Sequence, residues 1–150
     1  MTPGNEEPRL FEISLSKMAR CPVNEVLKNL QDPITWPRWQ PEIIASSGPA
    51  PLREGDAVEG RAALLGFVVD GRSTTVSSET DVFEEDVVVG VRMRVRYELR
   101  EVPGGVVVTR RLTASLPRGF SGRILSFFLK RRLTSMQRGV LNELVAQSEA

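Results

Sequence analysis

Histidine is absent from this 150-residue chain, and cysteine occurs once, as Cys21. A Ser-His-Asp or Cys-His nucleophile is therefore excluded, and so is a zinc site built from imidazole or thiolates. No metal is expected, and no cofactor-binding motif is present. Acid–base chemistry would fall to Asp, Glu, Tyr, Lys or Arg. Two such residues interrupt apolar patterns. Arg110 lies in phase with Val108 and Leu112, and Tyr97, the only tyrosine, lies in phase with Val95 and Leu99. A buried arginine needs a partner. It either points inward and anchors a ligand carboxylate or carbonyl, or it snorkels outward or pairs with a carboxylate. The Tyr97 hydroxyl either orients a ligand or donates a proton, or it marks the rim of the core. No Asp or Glu falls clearly in the inward phase of the strands, which weighs against an acid–base enzyme.

A long C-terminal helix is expected to position these groups. Residues 121–146 contain no proline, and Leu125, Phe128, Leu129, Arg132, Met136, Gly139, Val140 and Leu144 fall on one face at helical spacing. Such a helix is roughly 40 Å long, against a radius of gyration of roughly 15 Å for a chain of this size. It must cross the whole domain, and a sheet is expected to cover its apolar face. Phe128, Arg132 and Met136 then face the space between helix and sheet. Glu143 sits near the same face, where a ligand contact and a rim salt bridge are both open. Phe127 falls opposite the stripe. Gly139 marks close approach to the sheet, a bend or extra internal space.

The strands are read from alternation. Residues 1–8 are expected to be a disordered tail, with residues 9–150 forming one domain. Residues 9–17 form the first strand. A helix follows over 22–31, with Val23, Val26, Leu27 and Leu30 as its stripe and Cys21 at its start, either a small buried filler or a reactive thiol at a helix N-terminus. Asp32-Pro33 ends it. Trp36 and Trp39 lie in a proline-rich corner, where Trp39 either plugs the core or lines the mouth of a pocket. Residues 42–46 make a short strand. Strands follow over 56–65, with Val58, Gly60 and Ala62 inward, and over 72–82, with Thr74, Val76 and Ser78 on one face. Glu84-Glu85-Asp86 is expected to be a turn. Residues 87–102 alternate without a break. One straight strand of that length would span roughly 53 Å, so a sharp bend or a tight hairpin is expected between Gly90 and Arg94. The row Arg92, Arg94, Arg96 and Arg100 is either the solvated outer face of the sheet, its charges discouraging aggregation, or a surface for an anionic partner. Pro103-Gly104-Gly105 turns into the last strand, 106–116.

Charge is uneven. Residues 1–60 carry six Lys/Arg and nine Asp/Glu, whereas residues 118–150 carry six and two. The basic end suits the solvated face of a helix. A membrane-surface contact through Phe127, or an interaction role for the basic helix, is the lesser alternative. The strong basic excess and interleaved aromatics of a nucleic-acid binder are lacking, so no nucleic-acid partner is expected. No apolar run approaches a membrane span, the N-terminus does not read as a secretory signal, and a single cysteine fits a reducing, cytoplasmic setting. The oligomeric state is not encoded in any pattern found.

Ala19-Arg20-Cys21-Pro22, the aliphatic pair Val26 and Leu27, Asp32, and Trp36 with Trp39 together resemble the opening of the START/Bet v 1-like superfamily, in particular its polyketide cyclase/dehydrase-like branch. EVPGGVVVTRRLTASLP, from Glu101, resembles that family's turn and final strand. The segment from Phe120 to Leu144 resembles its closing helix. The resemblance implies an α+β helix-grip fold, with a curved antiparallel sheet wrapped around the C-terminal helix and two short helices after the first strand. It also implies an apolar cavity between sheet and helix. The expected function is binding or transport of a small hydrophobic molecule such as a lipid, quinone or polyketide-like compound. A polyketide-type cyclase or dehydratase is the alternative. The expected ligand-contacting residues are Trp39, Val76, Tyr97, Arg110, Phe128, Arg132 and Met136.

Overall fold

The computed structural model describes residues 10–64, 66–115 and 123–150, with side chains for 11–63, 66–115 and 130–150. The expected N-terminal tail and the side chains of Phe127 and Phe128 lie outside the described residues. Seven antiparallel strands, β1 (Leu10–Ala19), β2 (Ile43–Ser47), β3 (Ala57–Leu64), β4 (Phe67–Ser78), β5 (Val82–Val89), β6 (Val91–Val102) and β7 (Gly105–Ser115), form one sheet in the order β1-β7-β6-β5-β4-β3-β2. Helix α1 (Val23–Gln31), a 3-10 turn (Pro33–Thr35) and the short helix α2 (Trp36–Trp39) connect β1 to β2. These two strands are the opposite edges of the sheet, so the helical connection must span its width. The long helix α3 (Arg123–Glu149) closes the chain. This is the helix-grip arrangement. No helix among the described residues is long and apolar enough to cross a membrane.

Local chemistry explains the connection. Val26, Leu27 and Leu30 are the buried stripe of α1. The Asp32 side chain accepts from the Ile34 amide at 3.3 Å, and Pro33 occupies the first position of the 3-10 turn. That position has no use for an N–H. The Trp36 indole N–H donates to the Leu30 carbonyl at 3.1 Å and ties the corner back onto α1.

The long alternating stretch does fold on itself, at Gly90. Val89 pairs with Val91, and Gly90 has φ +75°, a conformation that glycine adopts without a Cβ penalty. Upstream, three expectations are corrected. Glu84-Glu85-Asp86 is not a turn but the middle of β5, because Phe83, Glu85 and Val89 alternate inward. The turn falls instead around residues 79–81, where the Glu79 amide bonds the Val82 carbonyl at 2.8 Å. The strand expected over 72–82 begins at Phe67 and ends at Ser78. Its inward residues are Ser73 and Thr75, whereas Thr74 is exposed. A register shift between Thr75 and Ser77 interrupts the alternation around Val76.

The outer face carries the expected arginine row. Arg94 forks onto Asp86 at 2.7 and 2.9 Å, and Arg96 meets Glu98 at 2.9 Å and Glu84 at 3.1 Å. Exposed pairs of this kind add little stability. They do occupy these arginines on the solvent side.

Helix α3 packs on β1, α1 and α2. Its buried stripe is Gln137, Val140, Leu141, Leu144, Val145 and Ser148, spaced i, i+3, i+4, i+7, i+8, i+11. That stripe is rotated from the sequence expectation. Arg132 and Glu143 are exposed, and Leu141 is core. Polar Gln137 and Ser148 occupy stripe positions, which hides the true phase. A Cβ built on Gly139 meets nothing within 4 Å, so close approach to the sheet is not its role. Gly139→Ala is expected to stabilise the protein by about 1 kcal/mol in urea unfolding, the propensity difference inside a helix.

Candidate functional site

Core and cavity lie at opposite ends of the same strands. On β6, Leu99 lies in the core and Met93 lines a cavity; on β7, Val106 and Val108 are core and Ala114 lines the cavity. On α3, Val140, Leu141, Leu144 and Val145 pack into the core, while Arg132, Leu133 and Met136 face the cavity. This end of α3 stands away from the central strands because the helix leans on β1 and the α1–α2 connection. The small Ala62 on β3 leaves further room, whereas Gly60 admits the Ala45 carbonyl of β2 and Gly71 sits against the Val89 side chain. The result is a cavity of about 730 Å³. Its lining runs from buried Val95 and Leu112 out to exposed Phe67 and Arg132, so it opens at the surface. That volume suits a small organic molecule.

A polar layer forms the floor where core gives way to cavity. Arg110 on β7 is 4% exposed. Its Nε donates to Gln137 Oε1 on α3 at 2.8 Å, and its Nη1 donates to the Tyr97 hydroxyl on β6. Tyr97 pairs with Arg110 in the β6–β7 register, so the bond follows from two inward side chains facing each other across neighbouring strands. Trp39 packs edge-on against the Tyr97 ring at 6.3 Å and supports the floor from beneath. Among the described residues no carboxylate lies within ion-pair distance of Arg110. Burial pulls its pKa down to about 10, while the charges of Glu42 and Glu85 act at longer range to hold the proton on.

Glu85 is the second polar group of the floor and is 4% exposed. Ser73 Oγ on β4 donates to Glu85 Oε2 at 2.7 Å. Burial pushes the carboxyl above the ordinary glutamate range; the Ser73 hydrogen bond and the Arg110 charge pull the other way without cancelling it. A folded-state pKa above the unfolded one means that, above the unfolded value, the native state still holds a proton that the unfolded state has released. Stability is therefore fully present below the unfolded pKa and is lost as pH rises through the folded one. Glu85→Gln is expected to remove that loss, so the variant gains on the native protein between acidic and neutral pH in thermal melts. Gln40, at the end of α2, also lines the cavity, and its Nε2 has no hydrogen-bond partner among the described residues.

The structure distributes the sequence candidates unevenly. Arg110, Arg132 and Met136 line the cavity, with Arg132 at the exposed rim. Tyr97 holds Arg110 from beneath and is not itself among the lining residues. Trp39 is a core plug; Trp36 lines the cavity in its place. Val76 lies off the cavity, within the β4 irregularity. Phe128 is outside the described side chains. Glu85, Ser73 and Gln137 were missed.

A family model described as polyketide cyclase / dehydrase and lipid transport matches residues 11–149. The chain belongs to this family. Its Bet v 1-like helix-grip fold recurs in solved structures of low sequence identity. The aromatase/cyclase ZhuI from Streptomyces sp. R1128 is 11% identical with a TM-score of 0.77, over 94% of each chain. The structure of Ara h 8.0201 is 9% identical with a TM-score of 0.65, over 92% of this chain and 99% of the other. The di-domain aromatase/cyclase StfQ, from the steffimycin biosynthetic pathway, is 15% identical with a TM-score of 0.76, over 93% of this chain. This chain spans about half of StfQ, 51% of its length. No curated protein matches. For this polyketide cyclase/dehydrase family member, identities this low carry the fold and nothing finer.

Cys21 is half-buried beside Glu25 and Glu149. Burial first, and then those two carboxylates, push its thiol up, which makes it a poor nucleophile.

Proposed function

We propose that this protein binds a small hydrophobic molecule carrying at least one oxygen group, in the cavity between the sheet and α3. The observation that carries the proposal is the pairing of a mostly apolar cavity with a buried guanidinium, Arg110, that has no carboxylate partner within ion-pair distance among the described residues. Burial of apolar ligand surface drives binding at about 25 cal/mol per Å². Arg110, oriented by Tyr97 and Gln137, gives the ligand its direction by donating to a carbonyl or carboxylate oxygen. The family description includes lipid transport, which agrees with a carrier role.

Native mass spectrometry of the purified protein, followed by denaturing extraction, tests this directly. A co-purifying apolar compound supports the proposal. Narrowing the cavity supplies a second test. Ala62→Phe is expected to weaken binding of the uncharged fluorescent probe phenylnaphthylamine by roughly tenfold or more, with the circular dichroism spectrum retained. Unchanged affinity would place the bound probe elsewhere and remove the support for this cavity.

Glu85 favours a second reading, a cyclase or dehydratase acting on a polyketide-like substrate. A carboxyl held above its ordinary pKa in an apolar cavity is suited to proton transfer, and Arg110 is placed to stabilise an enolate oxygen. The family description and the aromatase/cyclase structures agree with this reading. It requires Glu85→Gln to abolish turnover while leaving binding intact; equal turnover in both forms removes it.

A further inference from the structure

Arg110 and Glu85 belong to one cavity but do not form an ion pair. Glu85 on β5 lies opposite Val95 on β6, and Arg110 on β7 lies opposite Tyr97, two residues further along β6. With strands spaced about 4.8 Å apart and residues about 3.4 Å apart along them, the two Cα atoms are separated by roughly 12 Å. Each side chain is already held. Ser73 fixes Glu85, and Gln137 with Tyr97 fixes Arg110. The charges sense each other without contact, and the space above them is the cavity. A ligand oxygen that sits on Arg110 therefore comes under the influence of Glu85.

We propose that Glu85 is a proton-linked selector of ligand charge: an apolar ligand with one anionic oxygen seats that oxygen on Arg110 and takes up a proton at Glu85, whereas an uncharged ligand takes up none. The proposal rests on the ligand-binding function above. A carboxylate, enolate or phenolate on the guanidinium would face an ionised Glu85 as a second negative charge in a medium that screens poorly. Protonation removes that repulsion. The proton comes from solvent and converts the Glu85 carboxylate to the acid, and no bond in the ligand changes. The surrounding groups leave Glu85 in this role. From β4 it meets the Ser73 hydroxyl, and its β6 partner is Val95, which carries no charge. Arg110 reaches it from β7. Glu42, half-buried between α2 and β2, is the other carboxylate that bears on Arg110. Arg61, Arg72 and Arg132 are exposed at the cavity rim, and Arg61 and Arg72 already face Asp70 and Glu59.

Thermodynamic linkage fixes the sign. If the complex with an anion holds one more proton than the free protein, affinity rises as pH falls, by up to about tenfold per pH unit where Glu85 is ionised in the free protein. The test uses two fluorescent probes that share a ring system, anilinonaphthalene sulfonate and phenylnaphthylamine. The first keeps its negative charge from about pH 5 to about pH 9, and the second is uncharged there. An ordinary carboxyl is already largely ionised at the lower end of that range, so a carboxyl held above the ordinary range gives up its proton further into it. The native protein is expected to bind the sulfonate progressively more weakly as pH rises, and the amine with a flat profile. Glu85→Gln keeps the Ser73 hydrogen bond and is expected to flatten the sulfonate profile at its tight, low-pH value. Parallel profiles for the two probes, or a native-like slope in Glu85→Gln, would overturn the selector and leave ligand binding standing. Failure of both probes to bind would overturn both.

Discussion

Trp39→Ala is expected to lower the unfolding free energy by about 3–5 kcal/mol, a cost typical of truncating a large buried aromatic residue. The ring is 1% exposed, its N–H donates to the Thr35 hydroxyl at 3.3 Å, and it meets Tyr97 edge-on with an interplanar angle of 80°. Removing it hollows the core beneath the Tyr97–Arg110 pair. Domains of this kind have about 5–15 kcal/mol in total, so the variant approaches the limit of folding at physiological temperature. Urea denaturation followed by far-UV circular dichroism measures the loss. A cost below about 1 kcal/mol, the scale of a surface change, would mean that Trp39 behaves as a pocket wall. Trp36 provides the internal comparison, since it is also buried but faces the cavity.

Arg110→Met is expected to weaken anilinonaphthalene sulfonate binding by roughly 10- to 150-fold, the equivalent of a charged hydrogen bond. Phenylnaphthylamine, which offers no anionic oxygen, is expected to keep its affinity within about threefold, well inside the effect of one neutral hydrogen bond. Parallel titrations by fluorescence separate the two. Stability should respond less than in Trp39→Ala. The substitution leaves Tyr97 and Gln137 short of a partner, but it also removes a charge whose burial is unfavourable. The depression of the Arg110 pKa to about 10 expresses that cost. The native state gives up its proton before the unfolded state, so the relief appears as stability rising with pH above about 10 and is absent near neutrality. Equal losses for both probes would show that Arg110 serves the shape of the cavity rather than recognition.

Alternation made most of the sheet legible. The phase of Val91, Met93, Val95, Tyr97 and Leu99 is the inward face of β6, and Arg110 stood out because it broke the same phase on β7. The corner at Trp36 followed from proline spacing, and a bend or hairpin between Gly90 and Arg94 from strand length; which of the two, and its place at Gly90, did not. Glu85 was hidden for a physical reason. Flanked by Glu84 and Asp86, it reads as part of a charged turn, because composition cannot separate two outward-facing carboxylates from a buried one between them. The difference lies in Ser73, twelve residues away in sequence and adjacent only after β4 and β5 pair. Gln137 was hidden similarly, as a polar residue in a polar-looking stretch whose partner, Arg110, lies across the cavity floor. Val76 was misplaced by one residue of phase: Ser73 and Thr75 face inward, and in this run of small polar residues the two phases look alike. Polar burial depends on long-range pairing, whereas apolar periodicity is local; the sequence is accordingly more informative about the second.

Placing core and cavity at opposite ends of the same strands has an evolutionary consequence. Packing that holds the fold together is concentrated around Leu99, Val108, Leu144 and the tryptophan corner, whereas Ala62, Gly71, Met93 and Ala114 line the chamber. Substitutions in the second group can reshape the chamber with little disturbance to the first. A lineage can thus explore new guests while keeping a foldable chain, and a laboratory library confined to the chamber end would sample changes in selectivity with few losses to misfolding.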